Sequence, residues 1–482
     1  MKTRLPKTWL AAILSTLIVC GTSVRAAGTT IDTNTESSTK FTLSNGDSFT
    51  VTNGATYDMS TAATLEIVNG DITVTEGSTF LGGNNNFWFY DGTVNVEDSS
   101  KMEVCTYDAG SQNYRVLLGL GSSSTITVKS GASFTSSASQ FVSNFYNGST
   151  VTISVDGEGS KFIQTAKTQK ALSYPIGSSG TWVYQDGQSG KFLEYKRGAG
   201  WYDADSTGGG SSGTISDTIT YLCDTGTDKA GKKYGASNNC SVNISATNGG
   251  AATFDSVITY VGSVLDKDAN CDNKSATFNV DEKSSISFKR LEIYADTEVT
   301  NNGTFSATEV TVHDAATLTF HVSSADVAAM KAEKLLVKEG AELGFAQTNE
   351  EFARIALFGT DTDPLSDTVA ATLDADLILE KGAILTLNGG ALDLNGNNLT
   401  IEDGAIINAY GIDDANADGK YTLFTNFSAS EQEYTVKLNG IDTIITYDSV
   451  SGTIYSSSIP EPTTTTLSLL ALAGLAMRRR RK

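Results

Sequence analysis

The 482-residue chain carries 55 Asp and Glu against 34 Lys and Arg, a formal charge of −21. Four of those cations fall in residues 1–26 and five in the last five positions, so the stretch between holds 25 against the same 55 acids. Such a surface repels nucleic-acid phosphates and anionic membranes and favours only divalent cations among charged partners. With 46 glycines, only 5 prolines and long tracts of Thr, Ser, Val and Asn, the composition predicts strands and turns rather than helices, an all-β protein.

The N-terminus runs from Lys2, Arg4 and Lys7 into the apolar WLAAILSTLIVC (9–20) and then SVRAAG, where Val24 and Ala26 suit a cleavage site. Residues 1–26 are expected to be a secretory signal peptide. A lipoprotein signal ending at Cys20 is the weaker alternative, because the bulky Val19 occupies a position where such signals carry a small residue. Export leaves four cysteines, Cys105, Cys223, Cys240 and Cys271. At least one disulfide is expected among the last three, with connectivity open. No C-x-x-C pair occurs, which argues against zinc.

From residue 28 to 200 a nine-residue pattern recurs: apolar, any, apolar, two polar, two small (often Gly first), any, apolar. It reads ITVTEGSTF at 72–80 and ITVKSGASF at 126–134, with looser copies FTVTNGATY at 49–57 and VNVEDSSKM at 94–102. Positions one and three share a strand face, the polar pair and glycine turn the chain, and position nine re-enters the core. In this register Ile126, Val128 and Phe134 are buried and Lys129 is exposed. Within NNNFWFYDG the period of two puts Phe87 and Phe89 on one face and Trp88 and Tyr90 on the other. Trp88 and Tyr90 are the candidate aromatic platform for a glycan or polysaccharide ring, against the alternative of burial in the core.

Residues 201–275 combine WYDAD, STGGGSSG and three cysteines, and read as a loop-rich insertion or junction. GGSSG (209–213) matches G-x-S-x-G but lacks the strand before and helix after that a nucleophile elbow requires.

The pattern returns over 276–458 as FNVDEKSSI (278–286), VTVHDAATL (310–318), LLVKEGAEL (335–343), LILEKGAIL (377–385) and LTIEDGAII (399–407). Spacings of 22, 25 and 32 residues suit rungs of a parallel β-solenoid, with β-sandwich domains as the structural alternative. SADVAAMKAEKLL (324–336) and EEFARIALF (350–358) are the helix candidates. The only histidines are His313 and His321, and His313 at the polar fourth position reads as a surface residue rather than a metal ligand or catalytic base. Asp414, Asn416 and Asp418 with Gly419 resemble half of a calcium loop. The twelfth position is Thr425 instead of an acid, so an Asx-rich turn is the better reading.

Residues 459–482 read IPEPTTTTLSLLALAGLAMRRRRK. Pro460, Glu461 and Pro462, then an apolar stretch at 467–477, then Arg478, Arg479, Arg480, Arg481 and Lys482, resemble in that order the PEP-CTERM protein-sorting signal of Gram-negative bacteria. The resemblance implies handling by an exosortase-like membrane protease and delivery through the inner membrane to the cell surface or extracellular matrix. The motif is a substrate, so it brings no catalytic residue. The 11 apolar residues make ~16 Å of helix, short of a ~30 Å bilayer core, which suits transient anchoring with the cations cytoplasmic.

The expected protein is therefore a non-catalytic structural or adhesive surface component with no cofactor, calcium aside. The alternative is a carbohydrate-active enzyme, a lyase or glycoside hydrolase, since β-solenoids resemble the scaffold of many polysaccharide-degrading enzymes. Hydrolysis requires two carboxyls at a defined separation, and no local motif supplies them. An autotransporter passenger is disfavoured, because no set of alternating membrane strands precedes the C-terminus.

Overall fold

The computed structural model describes residues 28–61, 64–82, 86–105, 115–138, 140–144, 148–165, 219–223, 239–256, 258–262, 274–322, 327–347, 371–388, 390–410, 420–429, 433–449 and 453–457, and the backbone of five short strands between 173 and 214. The described chain is all-β and the strand pairing is overwhelmingly parallel. It divides into two compact units, residues 1–276 with 283–289, and residues 277–282 with 290–482.

In the N-terminal unit successive rungs stack strand on strand. Arg115–Leu117, Ser123–Lys129 and Ser133–Ser136 form one rung, and each pairs in parallel with its counterpart in the next: Gln140–Val142, Thr150–Asp156 and Lys161–Gln164. The nine-residue copies lie directly over one another, with Phe49 opposite Ile72, Ile72 opposite Val94, and Val94 opposite Ile126. Ile126, Val128 and Phe134 are fully buried, and Lys129 is exposed and paired with Glu97 at 2.7 Å. Inward aromatic rings stack from rung to rung, as in Phe134 on Phe162, with centroids 5.3 Å apart and planes parallel to within 1°.

The turn inside each copy explains its composition. Position seven donates its N–H to the carbonyl of position four, for example Ser78 to Thr75 at 3.2 Å and Ala132 to Lys129 at 3.2 Å. Positions five and six are both left-handed, Glu76 and Gly77 at φ 56° and 70°, Ser130 and Gly131 at 56° and 75°. Two consecutive positive φ values define a type I′ turn, which favours glycine or a short polar residue, with Glu76 the longer exception.

Rungs tolerate long excursions. Ile153 pairs directly with Ile244, 91 residues later, so the chain leaves the stack after Gln164 and rejoins it at Ile219. Strands Ile219–Leu222, Ser241–Thr247, Ala251–Phe254 and Ile258–Val261 thus continue the stack through the cysteine-containing segment. The five short strands of the excursion pair only with one another, all antiparallel.

The C-terminal unit uses the same construction. Leu291 lies opposite Val310, Val310 opposite Leu335, Leu335 opposite Leu377, and Leu377 opposite Leu399. Here only position six is left-handed, as at Gly340, Gly382, Gly404 and Ala315 (φ 64°), which is the type II arrangement. The partner of Val310 is Leu291 rather than Phe278, so the 32-residue interval between the 278 and 310 copies is not one rung. The intervening copy, LEIYADTEV at 291–299, carries no glycine.

The expected helix at 324–336 is corrected. Residues Ala328–Val337 form a strand, with Leu335 and Val337 pairing Val310 and Val312 and register irregularities between Ala328 and Lys334. The helix-forming Ala, Lys and Glu content is overridden because the strand buries Ala329, Met330, Leu335 and Val337. The second helix candidate, 350–358, lies outside the described residues. The stack ends in antiparallel strands, Glu433–Leu438, Ile441–Asp448 and Thr453–Ser456, joined first by an Asn439-Gly440 turn with both φ values positive. Among the described residues no helix is long and apolar enough to cross a membrane.

Candidate functional site

Trp88 and Tyr90 occupy one strand, Phe87–Val96, and alternate with inward Phe87 and Phe89, which are buried and stacked at 5.8 Å. The face assignment from period two therefore holds. Both outward rings are half-buried, so the aromatic face is partly open rather than fully exposed. Trp88 is flanked in the neighbouring strands by Glu66 and Leu117, themselves 9% and 7% exposed. Glu66 is fixed in turn by an ion pair with Lys40 and a hydrogen bond from Thr42. The Trp88 indole N–H is buried and has no hydrogen-bond acceptor. Tyr90 is half-buried as well. It falls between Phe89, opposite Ile67, and Asp91, opposite Asn69, which places it beside the exposed Val68.

The carboxylates around this strand hold the backbone. Asp91 Oδ1 accepts from the Ser122 N–H at 2.7 Å, the Ser122 hydroxyl at 2.9 Å and the Ser123 N–H at 2.8 Å. Asp71 Oδ1 accepts from the Thr93 N–H and hydroxyl at 3.0 and 2.6 Å.

The second cluster, in the C-terminal unit, was not legible in the sequence. Strand Arg290–Ile293 places Arg290 and Glu292 on one face, two residues apart, and the next rung brings His313 beside them just after strand Glu309–Val312. His313 Nε2 donates to Glu292, Arg290 Nε also donates to Glu292, and the imidazole lies over the Tyr294 ring at 3.8 Å with 14° between planes. The His313 side chain is only 12% exposed, which corrects its reading as a surface histidine. Burial favours protonated Glu292, but the His313 hydrogen bond and the charges of Arg290 and His313 overcome it and hold the carboxyl below its ordinary value. Burial likewise disfavours the His313 imidazolium and lowers its pKa against the opposing pull of Glu292. Arg290 and Glu292 at i, i+2 were the sequence signal for a pair. The third member depends on a 19-residue rung that the glycine-based pattern does not reveal.

His321 stands apart, 4.0 Å from Glu298 at the surface. Cys105, Cys223 and Cys240 are buried thiols. Burial pushes the Cys105 thiol up to about 12. Cys271, the calcium-loop residues Asp414, Asn416 and Asp418, the sorting motif Pro460, Glu461 and Pro462, and Arg478 to Lys482 lie outside the described residues. Among the described residues no group of three or more His, Cys, Asp or Glu is placed to hold a metal ion. No protein-family model, curated protein or solved structure matches this chain.

Proposed function

We propose that this chain is an exported, non-catalytic structural or adhesive component of the bacterial surface or extracellular matrix, sorted through its PEP-CTERM-like tail and contacting glycan through the Trp88 and Tyr90 strand. The observation that carries the reading is the order of the last 24 residues, a Pro-Glu-Pro motif, an apolar run and five cations, in a chain that opens with a signal-peptide pattern. The stacked parallel rungs within each unit support it, since repeated rungs present repeated faces without requiring a pocket. Support for glycan contact is local: Trp88 and Tyr90 lie on the outward face of one strand, and each offers a half-buried ring on which a sugar ring can stack.

The acid-base pair of the C-terminal unit also supports a non-catalytic reading. Glu292 is 2% exposed and already accepts hydrogen bonds from both Arg290 and His313, an arrangement that anchors adjacent rungs. The test is cell fractionation. Replacing Pro460, Glu461 and Pro462 together with alanine should hold the protein uncleaved in the inner membrane, and deleting 459–482 should release it into the periplasm. Surface delivery of both variants at the normal level would refute the reading.

A further inference from the structure

Cys223 and Cys240 belong to the same rung and mark the two ends of one excursion. Cys223 follows strand Ile219–Leu222, Cys240 precedes strand Ser241–Thr247, and residues 224–239 lie between them. The rung beneath shows what this corner looks like when the connection is short. There Val142 lies opposite Tyr221 and Thr150 opposite Ser241, so Asn144 sits under Cys223 and Ser149 under Cys240. Asn144 Nδ2 donates to the Ser149 hydroxyl at 3.1 Å and to its carbonyl at 2.9 Å, closing the corner side chain to side chain.

One rung on, the two cysteines hold the equivalent positions. The backbone fixes them tightly. The Cys223 N–H donates to the Ser143 hydroxyl at 3.0 Å, its thiol donates to the Ser275 carbonyl at 2.9 Å, and the Ser275 N–H donates to the Cys240 carbonyl at 3.2 Å. Cys223 is also left-handed, φ 55°, a conformation a non-glycine residue keeps only when its surroundings impose it. The two thiols are near enough to act on one another's ionisation, Cys240 helping to raise Cys223.

We propose that Cys223 and Cys240 form a disulfide that clamps the neck of the 224–239 excursion, replacing by a covalent bond the Asn144–Ser149 hydrogen bonds of the rung beneath. The oxidant is a small-molecule or protein disulfide. One cysteine thiolate attacks it, forming a mixed disulfide and expelling one thiol. The second cysteine then displaces the other thiol, so two protons and two electrons pass from the pair to the donor and one sulfur–sulfur bond forms in the chain. Both side chains are fully buried and Cys223 is pushed well above the ordinary thiol value, mainly by burial, so exchange is slow in the closed rung and belongs to folding.

The experiment refolds the full-length chain, reduced and purified, with oxidised glutathione, then alkylates it with iodoacetamide under denaturing, non-reducing conditions for peptide mapping. The expected product is a linked pair of peptides containing Cys223 and Cys240, two hydrogens lighter than the reduced peptides, with Cys105 alkylated. The Cys271→Ser variant should give the same linked pair in undiminished yield. Alkylation of both Cys223 and Cys240, or linkage of either to Cys20, Cys105 or Cys271, would overturn the proposal. This readout is independent of where the protein is sorted, so its failure leaves the export reading untouched.

Discussion

Replacing Gly92 by alanine should destabilise the N-terminal unit far more than the same change at Gly77. Two ten-residue strands, Leu65–Val74 and Phe87–Val96, each serve two faces of their rung, and Gly70 and Gly92 lie opposite one another where the chain passes between those faces. Gly92 has φ +122°, and a Cβ there would stand 2.0 Å from the Gly70 carbonyl oxygen. An ordinary carbon–oxygen contact is about 3.3 Å, so the rungs must separate by more than an ångström or the backbone must leave its conformation. The unfavourable backbone region costs about 1–3 kcal/mol and the overpacking about 1–3 kcal/mol more, giving roughly 4 kcal/mol. At Gly77 the φ is +70° and no atom lies within 4 Å of the added Cβ, which leaves only the left-handed penalty of about 1 kcal/mol. Urea unfolding followed by circular dichroism measures the two costs. Hydrogen exchange in Leu65–Val74 and Phe87–Val96 localises the larger one, because each rung contacts only its neighbours. If Gly92→Ala costs no more than Gly77→Ala, the stacking register of these rungs is wrong.

The C-terminal unit should lose stability on acidification in two stages. A histidine whose folded pKa is lowered contributes stability above its unfolded value, about 6.5, and loses it as the pH falls from there through the folded value. Glu292, also lowered, loses its contribution below the ordinary carboxyl range near 4.3. Hydrogen exchange of strands Arg290–Ile293 and Glu309–Val312 between pH 7.5 and pH 4 should show the first stage in the native chain and not in His313→Gln, and identical profiles would contradict the pairing. At the other candidate site, Tyr90→Ala and Trp88→Ala should each weaken retention on immobilised glycan by roughly fivefold or more, the ~1 kcal/mol or greater value of a stacked aromatic contact. Unchanged retention in folded variants would remove the strand from the binding role.

How much of this was readable beforehand depends on what each contact spans. The nine-residue pattern is local, so the burial of Ile126, Val128 and Phe134, the exposure of Lys129 and the pairing of Leu377 with Leu399 all followed from it. The inward and outward faces of Phe87 to Tyr90 followed from the same alternation. Rung stacking is not local. Ile153 meets Ile244 across 91 residues because an excursion can leave and rejoin the stack without disturbing either rung, and nothing in the intervening composition says where it rejoins. The copy at 291–299 was invisible because its turn needs no glycine, and with it went the position of His313 above Glu292. The strand Ala328–Val337 was misread as helix because propensity reports the isolated segment, whereas Leu335 and Val337 are set by the apolar positions of the rungs on either side. The half-burial of Trp88 likewise comes from Glu66 and Leu117, which lie 22 residues before it and 29 after it.

The sorting of this protein is tested most directly at its own C-terminus. Surface or matrix material from cells producing the native chain should be digested and its C-terminal peptides identified by mass spectrometry. The account predicts a mature chain ending at or near Pro460–Pro462, with no peptide from the apolar run or from Arg478 to Lys482. Recovery of peptides ending at Lys482 from the surface-exposed form would contradict it.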